Sequence, residues 1–169
     1  MMYYTDYDAP IGKLLLTSDG NNLTGIHINK QKDYIVTFIK NSVEKKDLPV
    51  FLTTIKWLNI YFSGQKPPKM NISLKPEGSK FRQKVWKMLC DIPYGGVMTY
   101  GDIAKKFDKR MSAQAIGNAV GHNPIAIIIP CHRVIGANGN LTGYAAGLDI
   151  KVKLLTIEQA YKDTFMVKT

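Results

Sequence analysis

The stretch Ile127-Ile128-Ile129-Pro130-Cys131-His132-Arg133-Val134 places a cysteine and a histidine directly after a run of aliphatic residues. The run begins at Ile125, lies between Pro124 and Pro130, and is rich in β-branched residues, which predicts a buried strand. Because proline cannot donate to a β-ladder, the strand is expected to end at Pro130 and to release Cys131 into a loop or turn.

The position of Cys131, where an apolar run meets a polar segment, suits a reactive thiol. A thiol is a weak nucleophile at neutral pH unless a base or a positive charge favours the thiolate, and His132 and Arg133 offer both in sequence. Adjacent side chains need not converge, so two interpretations stay open. Cys131 is either a catalytic nucleophile or a small buried hydrophobic residue.

The composition is that of an ordinary soluble globular protein, with 45% hydrophobic and 21% charged residues in a chain of 169. Residues 1–6 lack the pattern of a signal peptide, and no apolar run approaches about 20 residues, so we expect a cytoplasmic protein that does not span a membrane. The two cysteines, Cys90 and Cys131, are expected to be free thiols. No Cys/His cluster has zinc-binding spacing, so no metal site is expected.

The net charge of +10 is spread over both halves of the chain. Such an excess of positive charge is compatible with a polyanionic partner, of which nucleic acid is the commonest. Many basic proteins bind no polyanion, so the charge alone leaves a nucleic-acid partner open.

The first 75 residues predict an α/β domain. Three β-like runs separated by turn residues predict a three-stranded antiparallel sheet, and two later segments have the apolar spacing of helices. The runs are Tyr3–Tyr7, Lys13–Thr17 and Leu23–Ile28, and the helical segments are one that begins at Asp33 and one at Phe51–Phe62. Residues 64–78 predict a linker with one short strand at Asn71–Leu74. The predicted domains are therefore residues 1–75 and residues 76–169.

The C-terminal domain is predicted to be mainly helical. Ser79, Thr99 and Ser112 stand where N-caps precede helical patterns, and Asp102 completes a capping box after Thr99. Asp149 is the predicted cap of the last helix. The two short helices after Thr99 and Ser112 suggest a helix-turn-helix.

The second of these short helices has small side chains and is nearly uncharged, so we call it a slim helix. A helix that reads the major groove normally presents Arg, Asn or Gln to base edges, whereas a slim helix suits the narrower minor groove. The small residues are Ala113, Ala115, Gly117 and Ala119. This surface favours a protein that handles any DNA sequence over a regulator that seeks one.

Two features near the C-terminus, a loop and a glutamate, have no function that the residues alone decide. The loop Gly143-Tyr144-Ala145-Ala146-Gly147 can close over a flat ligand or act as a flexible connector. Glu158 stands at the edge of the apolar face of the last helix, where a glutamate is usually solvated.

Several strings of the C-terminal half fall in the order and spacing of a known family. They are Phe81–Trp86, Gly96–Ala104, Gly117–Val120, Asn123-Pro124, Pro130–Val134, Gly143–Ala145 and Leu154–Glu158. Together they resemble the O6-alkylguanine-DNA alkyltransferases, the methylated-DNA–protein-cysteine methyltransferases, closely over residues 79–158 and only in layout over residues 1–75. The resemblance implies a ribonuclease-H-like N-terminal domain and DNA repair by irreversible alkyl transfer from O6 of guanine, with O4 of thymine left open as a second substrate.

The resemblance also implies a role for each catalytic residue. Cys131 attacks the alkyl carbon, His132 takes the thiol proton through a water, and Glu158 orients His132. Tyr100 protonates N3 of the leaving guanine, and Asn123 braces the turn before the active-site strand.

Members of this family insert the second helix into the minor groove and rotate the damaged nucleotide out of the stack. The implied DNA-binding residues are Thr99, Tyr100, Ser112, Ala113, Gln114, Ala115 and Gly117, and the implied base-pocket residues are Val120, Val134, Tyr144 and Ala145. The expected partner is double-stranded DNA containing O6-alkylguanine, bound by a monomer. No cofactor is expected, because the damaged DNA is itself the alkyl donor.

Two positions depart from the family's pattern. Gln114 stands where the family often has an intercalating arginine, which predicts weaker DNA binding or slower base rotation. Ala145 stands where some relatives have serine, with little loss expected because the relevant group is a backbone N–H. Three alternatives are disfavoured. Non-enzymatic lesion-binding relatives lack the cysteine that this chain has, and a helix-turn-helix regulator would not have a second helix lined with small, uncharged residues. A cysteine hydrolase would need a substrate cleft, for which the sequence gives no separate indication.

Overall fold

The computed structural model describes residues 1–28 and 33–167, and the chain forms two compact units. The first unit comprises Met1–Glu77 and Pro124–Ala126, and the second comprises Gly78–Asn123 and Ile127–Thr169. Both units mix helices with strands, in agreement with the predicted α/β class.

A four-stranded sheet of order β3-β2-β1-β4 forms the base of the first unit. Strands β1 (Tyr3–Ala9), β2 (Gly12–Ser18) and β3 (Leu23–Ile28) run antiparallel, which confirms the predicted three-stranded meander. Strand β4 (Val43–Glu44) pairs in parallel with β1 and was not predicted, because two residues are too few to show a period.

Two helices complete the first unit. Helix α1 (Asp33–Lys40) lies where a helix was predicted from Asp33 onward. Helix α2 (Pro49–Phe62) begins with a proline at its first position, where the missing N–H needs no partner, and it buries Phe51, Leu58 and Tyr61.

The predicted short strand at Asn71–Leu74 is wrong. Only Leu74 forms a bridge, with Leu23. The N–H of Ile72 donates to the carbonyl of Met70 at 3.0 Å, and this tight turn prevents an extended run.

The predicted strand from Ile125 to Ile129 is also wrong. Ile125 alone forms a bridge, with Ile26 in the first unit. Ile127 then has a φ of 73°, a left-handed conformation that is incompatible with a strand and rare for a β-branched residue.

The second unit is mainly helical, as predicted. Its elements are α3 (Lys80–Leu89), β5 (Met98–Thr99), α4 (Tyr100–Ala104), α5 (Ala113–Gly121), β6 (Val134–Ile135) and α6 (Leu148–Ile157). Strands β5 and β6 pair in parallel. Trp86 on α3 is buried and donates from Nε1 to the carbonyl of Ala119 on α5 at 2.8 Å, so these two helices share one core.

The predicted helix starts have mixed outcomes. Side chains of Ser79, Thr99 and Ser112 each accept a hydrogen bond from the backbone N–H three residues on, and Asp102 completes the capping box, so these four predictions are confirmed. The prediction for Asp149 is wrong, because Gly147 occupies the N-cap position of α6 with a φ of 103°.

No helix in the described ranges is long and apolar enough to cross a membrane. In the same ranges, no three His, Cys, Asp or Glu side chains lie together so that they could hold a metal ion.

Candidate active site around Cys131

Cys131 begins a short 3-10 turn, Cys131–Arg133, directly after Pro130. The N–H of Cys131 donates to the carbonyl of Ile129 at 2.8 Å, and Nδ2 of Asn123 donates to the same carbonyl at 2.8 Å. The prediction that Pro130 releases Cys131 into a turn is confirmed, and the Asn123 side chain is bonded to that turn.

The thiol of Cys131 is buried, with 7% of the residue exposed, and Sγ lies 3.6 Å from the hydroxyl oxygen of Tyr144. Burial raises the pKa of the Cys131 thiol, because a surrounding of low dielectric constant disfavours the thiolate. Hydrogen bonds with Asn123 and Tyr144 and the charge of Lys151 act in the opposite direction. The thiol is therefore protonated at neutral pH, and a base must remove its proton before it can attack.

A buried hydrogen-bonded chain stands beside the thiol in sequence. Nε2 of His132 lies 2.6 Å from Oε1 of Glu158, and neither side chain is exposed. Arg133 donates to both oxygens of Glu158, from Nε at 2.8 Å and from Nη2 at 2.9 Å. Nδ1 of His132 is buried and has no hydrogen-bond partner among the described residues.

The charge states of this chain follow from its contacts. Burial by itself raises the pKa of Glu158, but hydrogen bonds from His132 and Arg133 outweigh it and lower that pKa to about 2. Burial also lowers the pKa of His132, against the opposing effect of Glu158. At neutral pH, Glu158 is therefore ionised, Arg133 balances its charge, and His132 is neutral.

These contacts revise two sequence interpretations. Glu158 is 2% exposed, so the interpretation as a solvated residue at a helix edge is wrong. Arg133 forms an ion pair with Glu158 and donates from Nη1 to the carbonyl of Ile92 at 2.8 Å. Its guanidinium charge is thus already compensated by a carboxylate.

Tyr100 is half-buried at the start of α4 and reaches the same region. Its hydroxyl accepts a hydrogen bond from Oγ1 of Thr142 at 3.2 Å. Burial raises the pKa of Tyr100, and the Cys131 charge raises it further, so the phenol stays protonated at neutral pH. A Cβ at Gly117 on α5 would lie 3.7 Å from Cε1 of this ring.

The predicted DNA-binding residues lie on two helices that contact each other, α4 and α5, or at the N-caps of these helices. Ser112, Ala113 and Gln114 are exposed at the start of α5, while Ala115 and Gly117 are partly covered. Thr99 is partly covered and caps α4.

Four residues were predicted to line a base pocket. Val120 and Val134 are buried, Tyr144 is partly buried beside the thiol, and Ala145 is exposed.

Sequence reasoning missed two site residues. Thr142 has a positive φ of 56° and is the partner of Tyr100. Lys151 on α6 is fully buried and donates from Nζ to the carbonyls of Leu141, at 2.7 Å, and Gly143, at 3.2 Å. No sequence signal separates Thr142 from other loop threonines, but Lys151 stands four residues before Leu155 and seven before Glu158, which places it on their side of the helix.

Comparisons with known proteins place this chain in a family. Residues 2–76 match the 6-O-methylguanine DNA methyltransferase ribonuclease-like domain, and residues 80–160 match the DNA binding domain of the same family. A methylated-DNA–protein-cysteine methyltransferase of Methanosarcina mazei is 47% identical over 94% of this chain and 98% of its own. One from Haemophilus influenzae is 42% identical over 94% of this chain and 87% of its own.

Solved structures give the same result. The crystal structure of Mycobacterium tuberculosis O6-methylguanine methyltransferase superposes with a TM-score of 0.84 at 40% identity, covering 95% of this chain and 94% of that one. A structure of the M. tuberculosis protein in complex with DNA superposes with a TM-score of 0.82 at 40% identity, covering 94% of this chain and 93% of that one. The chain described here belongs to the 6-O-methylguanine DNA methyltransferase family.

Proposed function

We propose that this protein repairs DNA by transferring an alkyl group from O6 of guanine to Sγ of its own Cys131. The observation that carries the proposal is a buried thiol adjoining a buried His132–Glu158–Arg133 chain in the unit that matches the family's DNA binding domain. The names of the relatives, methylated-DNA–protein-cysteine methyltransferases, describe the same reaction.

The first step is removal of the thiol proton. Because Glu158 is ionised, Nε2 of His132 carries a proton and donates it in the 2.6 Å hydrogen bond, which leaves the lone pair on Nδ1. Nδ1 then takes the proton of Cys131 through a water molecule, and Glu158 stabilises the imidazolium that forms. Arg133 is the positioning residue that holds Glu158 ionised and in place.

The second step is displacement at the alkyl carbon. A bond forms between Sγ of Cys131 and the alkyl carbon, and the bond from that carbon to O6 breaks with its electron pair left on guanine. The phenol of Tyr100 donates its proton to N3 of the departing base and regains a proton from His132. The product is a thioether, which has no hydrolytic route back to the thiol, so each molecule reacts once.

The damaged base reaches the thiol only outside the DNA stack. We propose that α4 and α5 act as a helix-turn-helix whose slim second helix enters the minor groove, with Gln114 filling the space left by the rotated nucleotide. Thr99, Tyr100, Ser112, Ala113, Ala115 and Gly117 then contact the DNA. Val120, Val134, Tyr144 and Ala145 hold the extrahelical guanine.

We propose a cytoplasmic location and a monomeric state, since both are consistent with this reaction. A catalytic thiol that must stay reduced suits the cytoplasm, where thiols are not oxidised to disulfides. One Cys131 accepts one alkyl group, so a monomer suffices for the reaction.

Mass spectrometry after incubation with duplex DNA containing O6-methylguanine tests this function. The peptide containing Cys131 is expected to gain one methyl group, with a plateau at one equivalent of DNA. Cys131→Ala is expected to bind the methylated duplex without transfer, and the matched control Cys90→Ala, at the exposed cysteine, is expected to react normally. Repeated turnover, or a methyl group on any other side chain, would refute the proposal.

A further inference from the structure

Helix α6 buries a lysine that the mechanism above does not use. Lys151 has no exposed surface. Within residues 1–28 and 33–167, no carboxylate forms an ion pair with it, and its hydrogen-bond acceptors are the carbonyl oxygens of Leu141 and Gly143. Burying an ammonium in the core of a protein costs more free energy than burying a leucine or methionine side chain at the same position. A buried ammonium without a counter-ion therefore points to a function.

Residues 141–144, whose carbonyls at 141 and 143 accept hydrogen bonds from Lys151, make two contacts with the reacting groups. Thr142 donates to the hydroxyl of Tyr100, and the hydroxyl of Tyr144 lies 3.6 Å from Sγ of Cys131. Nζ of Lys151 also lies over the Tyr144 ring, 6.0 Å from its centroid. The ammonium thus supports the ring whose hydroxyl contacts the thiol.

We propose that Lys151 is a positioning residue that fixes residues 141–144 against Cys131 and supplies the positive charge that offsets the thiolate. This role deepens the proposed alkyl transfer and rests on it. Formation of the thiolate places a negative charge in a buried site, and Arg133 is already paired with Glu158. Lys151 is the buried cation whose charge no carboxylate of the described residues balances.

Electrostatic effects within the site agree with this arrangement. Burial lowers the pKa of Lys151 to about 8, and the Cys131 charge opposes that shift. Lys151 in turn lowers the pKa of Cys131 and of His132. The groups that interact with the thiol are thus Lys151 on α6, Tyr100 on α4, Tyr144 in the loop and Asn123 after α5; Glu158 and Arg133 act on His132.

The test measures the thiolate without DNA. In a Cys90→Ala background, the rate at which iodoacetamide alkylates Cys131 is recorded against pH. Lys151→Met is expected to shift the midpoint upward by about one pH unit or more. Near neutral pH, alkylation and single-turnover methyl transfer are then both expected to slow by about tenfold and to recover as the pH rises.

Two further variants serve as controls. Lys151→Arg, which keeps the charge, is expected to keep the midpoint of the unsubstituted protein. Lys153→Met, at an exposed position of the same helix, is expected to change neither rate. A Lys151→Met protein whose rates fall equally at every pH would show a structural role only and would overturn the proposal.

A measurement on the unsubstituted lysine covers the case in which Lys151→Met does not fold. The Lys151 ammonium is titrated by NMR before and after Cys131 is alkylated with iodoacetamide. Because the thiolate raises the pKa of Lys151, alkylation is expected to lower the titration midpoint, and an unchanged midpoint would contradict the proposal. Both the iodoacetamide midpoint shift of Lys151→Met and the Lys151 titration shift could also be observed while the unsubstituted protein accepts no methyl group from DNA. That result would refute the proposed function and leave the role of Lys151 standing.

Discussion

Replacing Glu158 with glutamine tests the charge assignment of the buried chain. Glutamine has nearly the same shape, but it carries no charge and presents an NH2 group where the carboxylate accepts from Arg133 and His132. Arg133, which is 8% exposed, then keeps a buried charge without a counter-ion. Removing one partner of a buried ion pair costs about 3–5 kcal/mol, so Glu158→Gln is expected to lower the free energy of unfolding at pH 7 by that amount.

The pH dependence of this loss follows from the pKa of Glu158. The folded pKa is about 2 and the ordinary value is 4.5, a difference that corresponds to about 3 kcal/mol. Since the folded pKa is the lower one, this stabilisation is fully present above pH 4.5 and is lost as the pH falls toward 2. At pH 3.5, roughly 1.4 kcal/mol of it is gone.

His132 contributes a second acid-dependent loss, which is larger in the variant because Glu158 no longer opposes the lowering of the His132 pKa. Burial lowers its pKa, so its stabilisation is present above the ordinary value of 6.5 and is lost as the pH falls below it. At pH 7, where His132 is neutral in both proteins, the difference in stability between them isolates the carboxylate. In acid, protonation of Glu158 narrows this difference by about 1.4 kcal/mol at pH 3.5, and the larger His132 loss of the variant widens it.

Urea unfolding at these pH values, followed by circular dichroism, measures the difference. Asp149→Asn is the matched control, because it removes an exposed carboxylate from the first turn of the same helix. It is expected to cost at most about 1 kcal/mol. If Glu158→Gln stays within 1 kcal/mol of the unsubstituted protein at pH 7, the carboxylate is not the ionised partner of Arg133.

Three other substitutions have defined outcomes. Tyr100→Phe removes the proposed general acid and is expected to slow single-turnover methyl transfer by roughly 10²-fold, and an unchanged rate would remove Tyr100 from the mechanism. Gln114→Arg adds a positive charge at the exposed start of α5, so titrations at two salt concentrations are expected to show tighter DNA binding and a salt slope steeper by about one; weaker binding would contradict this placement. Asn123→Ala removes the donor to the Ile129 carbonyl and is expected to cost about 1 kcal/mol in urea unfolding, with an undiminished stability counting against the brace.

Local signals predicted most of the fold. The three antiparallel strands follow from alternation between turn residues, and the caps at Ser79, Thr99 and Ser112 depend on hydrogen bonds that span three residues. The mis-assigned strand shows the limit of such signals. Whether Ile127 is extended depends on the pairing of Ile125 with Ile26, about a hundred residues away, and on the Asn123 bond to Ile129.

The candidate site was predicted in part, and what was missed has a common cause. The resemblance predicted Cys131, His132, Glu158 and Tyr100, and the structure places Cys131 close enough to Tyr100 for its charge to raise the pKa of the phenol. Periodicity treats every charged residue on a helix as solvated, and it therefore failed for Lys151 and Glu158. The cost of burying them is offset by partners distant in sequence, which no local pattern contains.

In the proposed mechanism, two buried charges, Lys151 on α6 and Glu158 at its C-cap, act on the same reaction through different atoms. Glu158 is neutralised by Arg133, so it can hold the proton on Nε2 of His132 without making the ring cationic before the thiol proton arrives. Lys151 has backbone carbonyls as acceptors, so its full charge acts on Cys131. A thiol whose burial raises its pKa needs both a base and a compensating cation, and we propose that α6 and its C-cap supply the residues that set both, two turns apart.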